Sequence, residues 1–193
     1  FLFLLPIISH SEDIFLNNQT LILDGAHTYG VISLNNNSFI YVDSTSSKLI
    51  LYCDSLFVDS TSAIIADNIS LNHISVGSDF TDVGAGGAGG GYANLGGNGG
   101  GDVESSGGII TGHLDSLSTG SMGGTGDVQL AADDHIGGKG GGAIMIVSYS
   151  AEIFGKISAN GGSGNDYYTS GGDSTWDHGG SGGGSGGHII LNI

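Results

Sequence analysis

The chain has 193 residues, with 19 acidic side chains against three lysines and no arginine, for a net charge of −16. That balance excludes the phosphate-neutralising surface of a nucleic-acid binder and disfavours an anionic membrane. It suits an extracellular surface, or one that holds divalent cations.

In chain order, residues 1–13 open with FLFLLPIIS, an apolar run too short to span a bilayer. Two readings stand for this segment: the remnant of a secretory signal peptide, or a buried first strand. Residues 14–83 read as short strands. FIYVD, KLILYC, SLFVD, SAIIAD and HISVG are β-branched or aromatic runs bounded by Ser, Thr, Asn and Asp clusters. Cys53 is the sole cysteine, so no internal disulfide forms. Its place in LILYC predicts a small buried side chain.

The phrase YVDSTS at Tyr41–Ser46 returns as FVDSTS at Phe57–Ser62, 16 residues on. Strand alternation predicts that Val42 and Val58 point to a core, while Tyr41, Phe57, Asp43 and Asp59 point away. The repeat predicts one coil stacked on the next, with equivalent residues above one another. LILDGAH near residue 23 and ISVGSD near residue 76 are weaker echoes. Asn18, Asn36 and Asn68 each open an N-x-S/T sequon, making them candidate glycan sites on a secretory route.

Of 39 glycines, 36 lie after residue 80, so residues 84–193 form a second compositional region. A less glycine-rich insertion, residues 102–136, interrupts it. No collagen-type three-residue repeat holds there, which excludes a triple helix. Gly141–Ile146 aligns with Gly186–Leu191 at a spacing of 45 residues, a glycine pair running into an apolar strand. Recurrent strands predict order for these glycines, in a packing related to polyproline II, rather than a flexible linker.

The succession GAGGAGGG, GSMGG, GGKGGGAIMIVSYSAEIFGKISANGGSG and GGSGGGSGGHIILNI resembles long secreted glycine-rich proteins of plants and protists. Gly155–Gly162 matches their G-x-I-x-A-x-G-G segment, and the resemblance covers roughly residues 50–193. It implies a β-helical body and an extracellular or cell-surface place. It brings no catalytic residues with it.

Gly161–Thr169 fits a calcium nonapeptide, with Asp166 as the candidate ligand; one such turn supplies half a calcium site. Asp133 and Asp134 beside His135 could do general acid/base work, and a polar acidic loop is the competing reading. Trp176, in GGDSTWDHGG, could stack on a sugar ring or tuck under the glycine region.

The expected fold is all-β: a parallel β-solenoid with a tightly packed glycine-rich C-terminal half, a β-sandwich being the alternative. The expected function is a non-enzymatic extracellular structural or adhesive module needing no cofactor. Its expected partners are an extracellular polysaccharide, a protein, or other copies joined end to end. A glycan- or protein-binding module and a carbohydrate-acting enzyme are the alternatives.

Overall fold

The computed structural model describes residues 12–70, 89–91, 95–98, 106–110, 116–125, 137–164 and 181–193. Nine strands run through these residues: β1 (Ile14–Asn17), β2 (Thr20–Leu23), β3 (Gly25–Asn35), β4 (Phe39–Val42), β5 (Lys48–Val58), β6 (Ala63–Ile65), β7 (Ala143–Ile153), β8 (Lys156–Ser158) and β9 (His188–Asn192). Odd-numbered strands form one sheet in the order β1-β3-β5-β7-β9, and even-numbered strands a second, β2-β4-β6-β8. Every strand-to-strand ladder is parallel. A β-sandwich needs antiparallel sheets, so that alternative is overturned. We call one odd strand with the even strand that follows it a tier.

Parallel register places like on like. Leu16, Leu34, Val58 and Ile153 form one column along the stack, and Leu21, Ile40, Ile64 and Ile157 another. Ile32, Leu34, Ile40, Leu49, Leu51, Val58, Ile64, Ile144 and Ile146 are completely buried where the two sheets face each other. Val42 and Val58 lie inside and Tyr41 is exposed, as alternation predicts.

The predicted stacking of the two DSTS phrases is corrected. Tyr41 pairs with Ile65 in the even sheet, whereas Phe57 pairs with Ser33 and Glu152 in the odd sheet. The two copies are successive corners of one chain path. In both, the aspartate carboxylate accepts the N–H two residues on: Thr45 to Asp43 at 2.7 Å and Thr61 to Asp59 at 2.9 Å. The repeat therefore encodes a corner closed by an Asx turn. The true neighbour of Leu21–Leu23 is Ile40–Val42, 19 residues on, so the weaker LILD echo is the stacked one.

The second corner also binds the tier before it. Asn36, Asn37 and Ser38 donate three consecutive backbone N–H groups to Asp59 Oδ2 (2.6 Å), Thr61 Oγ1 (2.9 Å) and Ser62 Oγ (3.0 Å). Bonds from the Ser62 hydroxyl, the Asn36 N–H and Thr61 pull the Asp59 carboxyl down to about 2. A folded value below the unfolded one of about 3.9 means the carboxylate stabilises the fold above that pH. The contribution fades as pH falls through about 2. Asp59→Asn is thus expected to lower the melting temperature at pH 7 and to have little effect at pH 2, as read by denaturation at both.

KLILYC and SLFVD, expected as two strands, are the single strand β5. Its buried face runs Leu49, Leu51, Cys53 and then Leu56, Val58. Two successive residues, Asp54 and Ser55, stand between the two halves of that face, so the strand bends there, because a straight strand alternates strictly. The ladders skip Gly30, Asp54 and Tyr149 at this level in all three long strands. Hydroxyls repair the gap: Ser148 Oγ donates to Ser150 O at 2.7 Å, and both serines reach Asp54 O at 3.5 Å.

Both glycine-rich excursions leave from one corner, between β6 and β7 and between β8 and β9. In earlier tiers that corner is only Asp24 or residues 43–47. The excursions' feet are closed by Gly142 N–H to Ala66 O (2.6 Å) and Gly187 N–H to Ala159 O (2.7 Å). They return in the register read from the sequence, Ala143 beside His188 and Ile146 beside Leu191.

Among the described glycines only Gly25 has positive φ, at 70°, so turn-making does not explain the rest. Hydrogen bonding does. Gly138 and Gly141 donate to Gly182 and Ser185; Gly182 and Ser185 donate to Gly124 and Ser121; Gly120 and Gly123 donate to Gly141 and Gly138. Donors and acceptors recur every third residue, the period of a polyproline-II-type helix, which makes no internal bonds and bonds only to its neighbours. Residues 106–110 and 116–125 of the predicted insertion are woven into the same network, through Gly108 N–H to Gly89 O and Gly120 N–H to Gly141 O.

Candidate functional site

The bend in the long strands builds a groove on the odd-numbered sheet. One row of paired residues crosses four strands: Thr28, Tyr52, Val147 and Asn192. The next row supplies Tyr29, Cys53 and Ser148, and the bend itself Asp54 and Tyr149. With Ile193 they enclose a volume of about 520 Å³, open to solvent on one side. Tyr149 is 89% exposed and Tyr52 43%, so two phenol faces are offered outward.

Tyr29 is held from behind, its ring stacked on His27 at a centroid distance of 5.9 Å and 9° between planes. Burial, and then the charge of Glu12, push its phenol above the ordinary value, so it stays a neutral donor. Cys53 forms part of the floor, and burial raises its thiol as well, which makes it an inert wall rather than a nucleophile.

Three phenols, an amide, two aliphatic hydroxyls and one carboxylate suit a neutral, hydroxyl-rich ligand: aromatic faces meet C–H surfaces, and the polar atoms meet hydroxyls. Among the described lining residues no cation is present to draw an anionic sugar. Asp54 is the one carboxylate among them, and glycoside cleavage of the usual kind uses two.

Asn18, Asn36 and Asn68, the predicted glycan sites, are exposed at corners, each with φ of 53°. Asparagine is among the few residues that enter this left-handed region readily, so the conformation alone accounts for its use there. Asn36 Nδ2 donates to Asn17 Oδ1 of the neighbouring tier at 2.8 Å. Asn68 lies against Gly162, where a Cβ would strike its side-chain oxygen.

Asp166, Trp176, Asp133, Asp134 and His135 lie outside the described residues. Among the described residues no three His, Cys, Asp or Glu side chains converge as a metal site would require. No described helix is long and apolar enough to cross a membrane. Sequence reasoning missed the groove because Tyr29, Tyr52 and Tyr149 are far apart along the chain. The available signal was Tyr52 standing between buried Leu51 and Cys53, an aromatic on the outer phase of a strand. No family model, curated protein or solved structure matches the chain.

Proposed function

We propose that this chain is a non-enzymatic β-solenoid module that works outside the cell as a rigid structural or adhesive spacer, akin to the long secreted glycine-rich proteins it resembles. The observation that carries the reading is the three-residue recurrence of hydrogen bonds joining residues 120–124, 137–141 and 182–185. It supports reading these glycine segments as an ordered continuation of the strand tiers, where a linker would have few such bonds. Alternation of the chain between two parallel sheets supports the solenoid path. Net charge and the exposed sequon asparagines accord with a secreted surface. Production in a eukaryotic secretory host is expected to give a glycosidase-sensitive mass excess. Loss of that excess in an Asn18→Gln/Asn36→Gln/Asn68→Gln variant checks the sites, and absence of any excess contradicts them.

A second reading, glycan binding, is favoured by the tyrosine groove. Neutral soluble polysaccharides are expected to retard the chain in affinity electrophoresis, more than acidic ones do. Tyr52→Ala/Tyr149→Ala is expected to weaken retardation by about fivefold or more, two stacking contacts being worth about 0.5–1.5 kcal/mol each. No retardation by any sugar leaves the spacer alone. Released reducing ends would make the protein an enzyme instead.

A further inference from the structure

The groove is a trough that runs across the strands. Thr28, Tyr52 and Asn192 stand exposed along one wall, with half-buried Val147 between the last two. Asp54 and Tyr149, two residues further along β5 and β7, stand exposed along the other. Cys53 and Ser148, buried and paired with each other, form the floor between the walls. On β3 the matching position of the second wall is Gly30, so that wall has a gap there. Strands in a sheet lie about 4.8 Å apart, so a wall of four strands runs roughly 14 Å. A ligand lying in the trough therefore passes from strand to strand.

The two outer phenols are placed for a flat chain. Tyr52 stands on the first wall at β5, and Tyr149 on the second wall at β7, the neighbouring strand. They flank the floor from opposite sides, one strand spacing apart along the trough. That spacing is close to the advance of one sugar ring in an extended glycan. A β-linked chain of glucose-type units is a flat ribbon. Set edge-on to the floor, it turns one face to Tyr52 and the opposite face of the next unit to Tyr149. Aromatic faces attract the C–H faces of such rings. An α-linked chain of the same sugar coils, so consecutive rings leave this plane and one phenol is met at a time.

The polar groups suit the edges of that ribbon, which carry its hydroxyls. The Asp54 carboxylate accepts from hydroxyls on one wall, and the Asn192 amide both donates and accepts on the other. Ser148 Oγ is already committed to Ser150 O at 2.7 Å, which holds the floor in place. The described lining carries no cation, and a net charge of −16 opposes a polyanionic chain. We infer that the trough binds an extended, neutral, β-linked polysaccharide laid across the strands, with Tyr52 and Tyr149 stacking on opposite faces of neighbouring sugars. The inference rests on the glycan-binding reading above and adds to it the linkage and the direction of the chain.

The test is calorimetric titration with glucose, cello-oligosaccharides and malto-oligosaccharides, which share one sugar and differ in linkage. Cello-oligosaccharides are expected to bind about fivefold or more tighter than malto-oligosaccharides of equal length, because only they make both stacking contacts together. Affinity is expected to rise from glucose to the β-linked disaccharide and again to the trisaccharide. Tyr149→Ala is expected to erase most of the first gain, and Tyr149→Phe to keep it. Tyr149 lies on the surface, so neither substitution disturbs the core. On addition of the trisaccharide, backbone amide shifts in NMR are expected at residues 28–30, 52–54 and 147–149, a line across three strands.

Equal affinity for both linkages, or no gain with length, would overturn the inference. So would shifts that run along β5 alone, since the chain would then lie parallel to a strand. Affinity electrophoresis separates the two failures. If neither series binds while another neutral polysaccharide retards the chain, the β-linked ribbon is refuted and the glycan-binding reading stands. If no polysaccharide retards it either, both fall.

Discussion

Gly184→Ala is expected to destabilise the chain by about 1–3 kcal/mol, the usual cost of forcing an extra carbon into a packed site. Gly186→Ala, two residues on, is expected to leave stability unchanged or raise it by about 0.4–1 kcal/mol through the unfolded state. The contrast comes from the three faces of a three-residue helix. Gly182 and Ser185 bond to residues 121–124, Gly184 and Gly187 bond to Gly162 and Ala159, and Gly183 and Gly186 fall on the third face. A Cβ on Gly184 would lie against the Lys139 carbonyl and 2.6 Å from that of Gly138. On Gly186 the nearest atom would be 3.7 Å away, an ordinary contact. Thermal or urea denaturation of the two variants beside the parent checks this. Equal effects would mean that the glycine segments are not packed in this phase. Lys139 obeys the same rule: it is the one long side chain in residues 137–142, and it is exposed among buried glycines.

Ile144→Ala is expected to cost about 2–5 kcal/mol, lost transfer energy plus the cavity left behind. Ile144 is completely buried, and its column neighbours Leu49 and Ile189 hold it from both sides. It is also the second residue of β7, where the chain re-enters the strand tiers after the first glycine excursion. The loss should therefore loosen the foot of that excursion as well as the core. Ile22→Ala is the control. Ile22 is chemically identical but 62% exposed on the outer face of β2, and its replacement should stay within about 0.5 kcal/mol of the parent. Urea unfolding midpoints of both variants decide the point.

Local structure was legible in the sequence where one strand's alternation decided it. Val42 and Val58 inside, Tyr41 outside and Cys53 buried all follow from period two. So does the link between a glycine pair and the strand after it, because β7 and β9 keep the 45-residue register of the aligned phrases. Stacking distance was not legible. Ile14 pairs 18 residues on with Ile32, Gly25 pairs 24 residues on with Leu49, and Lys48 reaches across to Ala143. Tier length changes because one corner holds a single residue in one tier and a whole glycine-rich excursion in another. The stronger repeat misled for a physical reason: Asp-Ser-Thr-Ser is a good solution for any corner, so it recurs without regard to stacking. Polar Asp54 divided the expected strands KLILYC and SLFVD, yet Asp54 and Ser55 are two outward positions at a bend of one strand. The groove was hidden because its tyrosines come from three strands, β3, β5 and β7, that only the sheet order brings side by side.

Amide hydrogen exchange read residue by residue by NMR across residues 137–142 and 181–187 tests the central claim most directly. The account predicts that Gly138, Gly141, Gly182 and Ser185, which donate across the glycine packing, are protected like the strand amides of β5 and β7. Lys139, Gly183 and Gly186 should exchange faster, giving a three-residue rhythm. Uniformly fast exchange through both segments, with β5 and β7 still protected, would contradict it and make the glycines a linker.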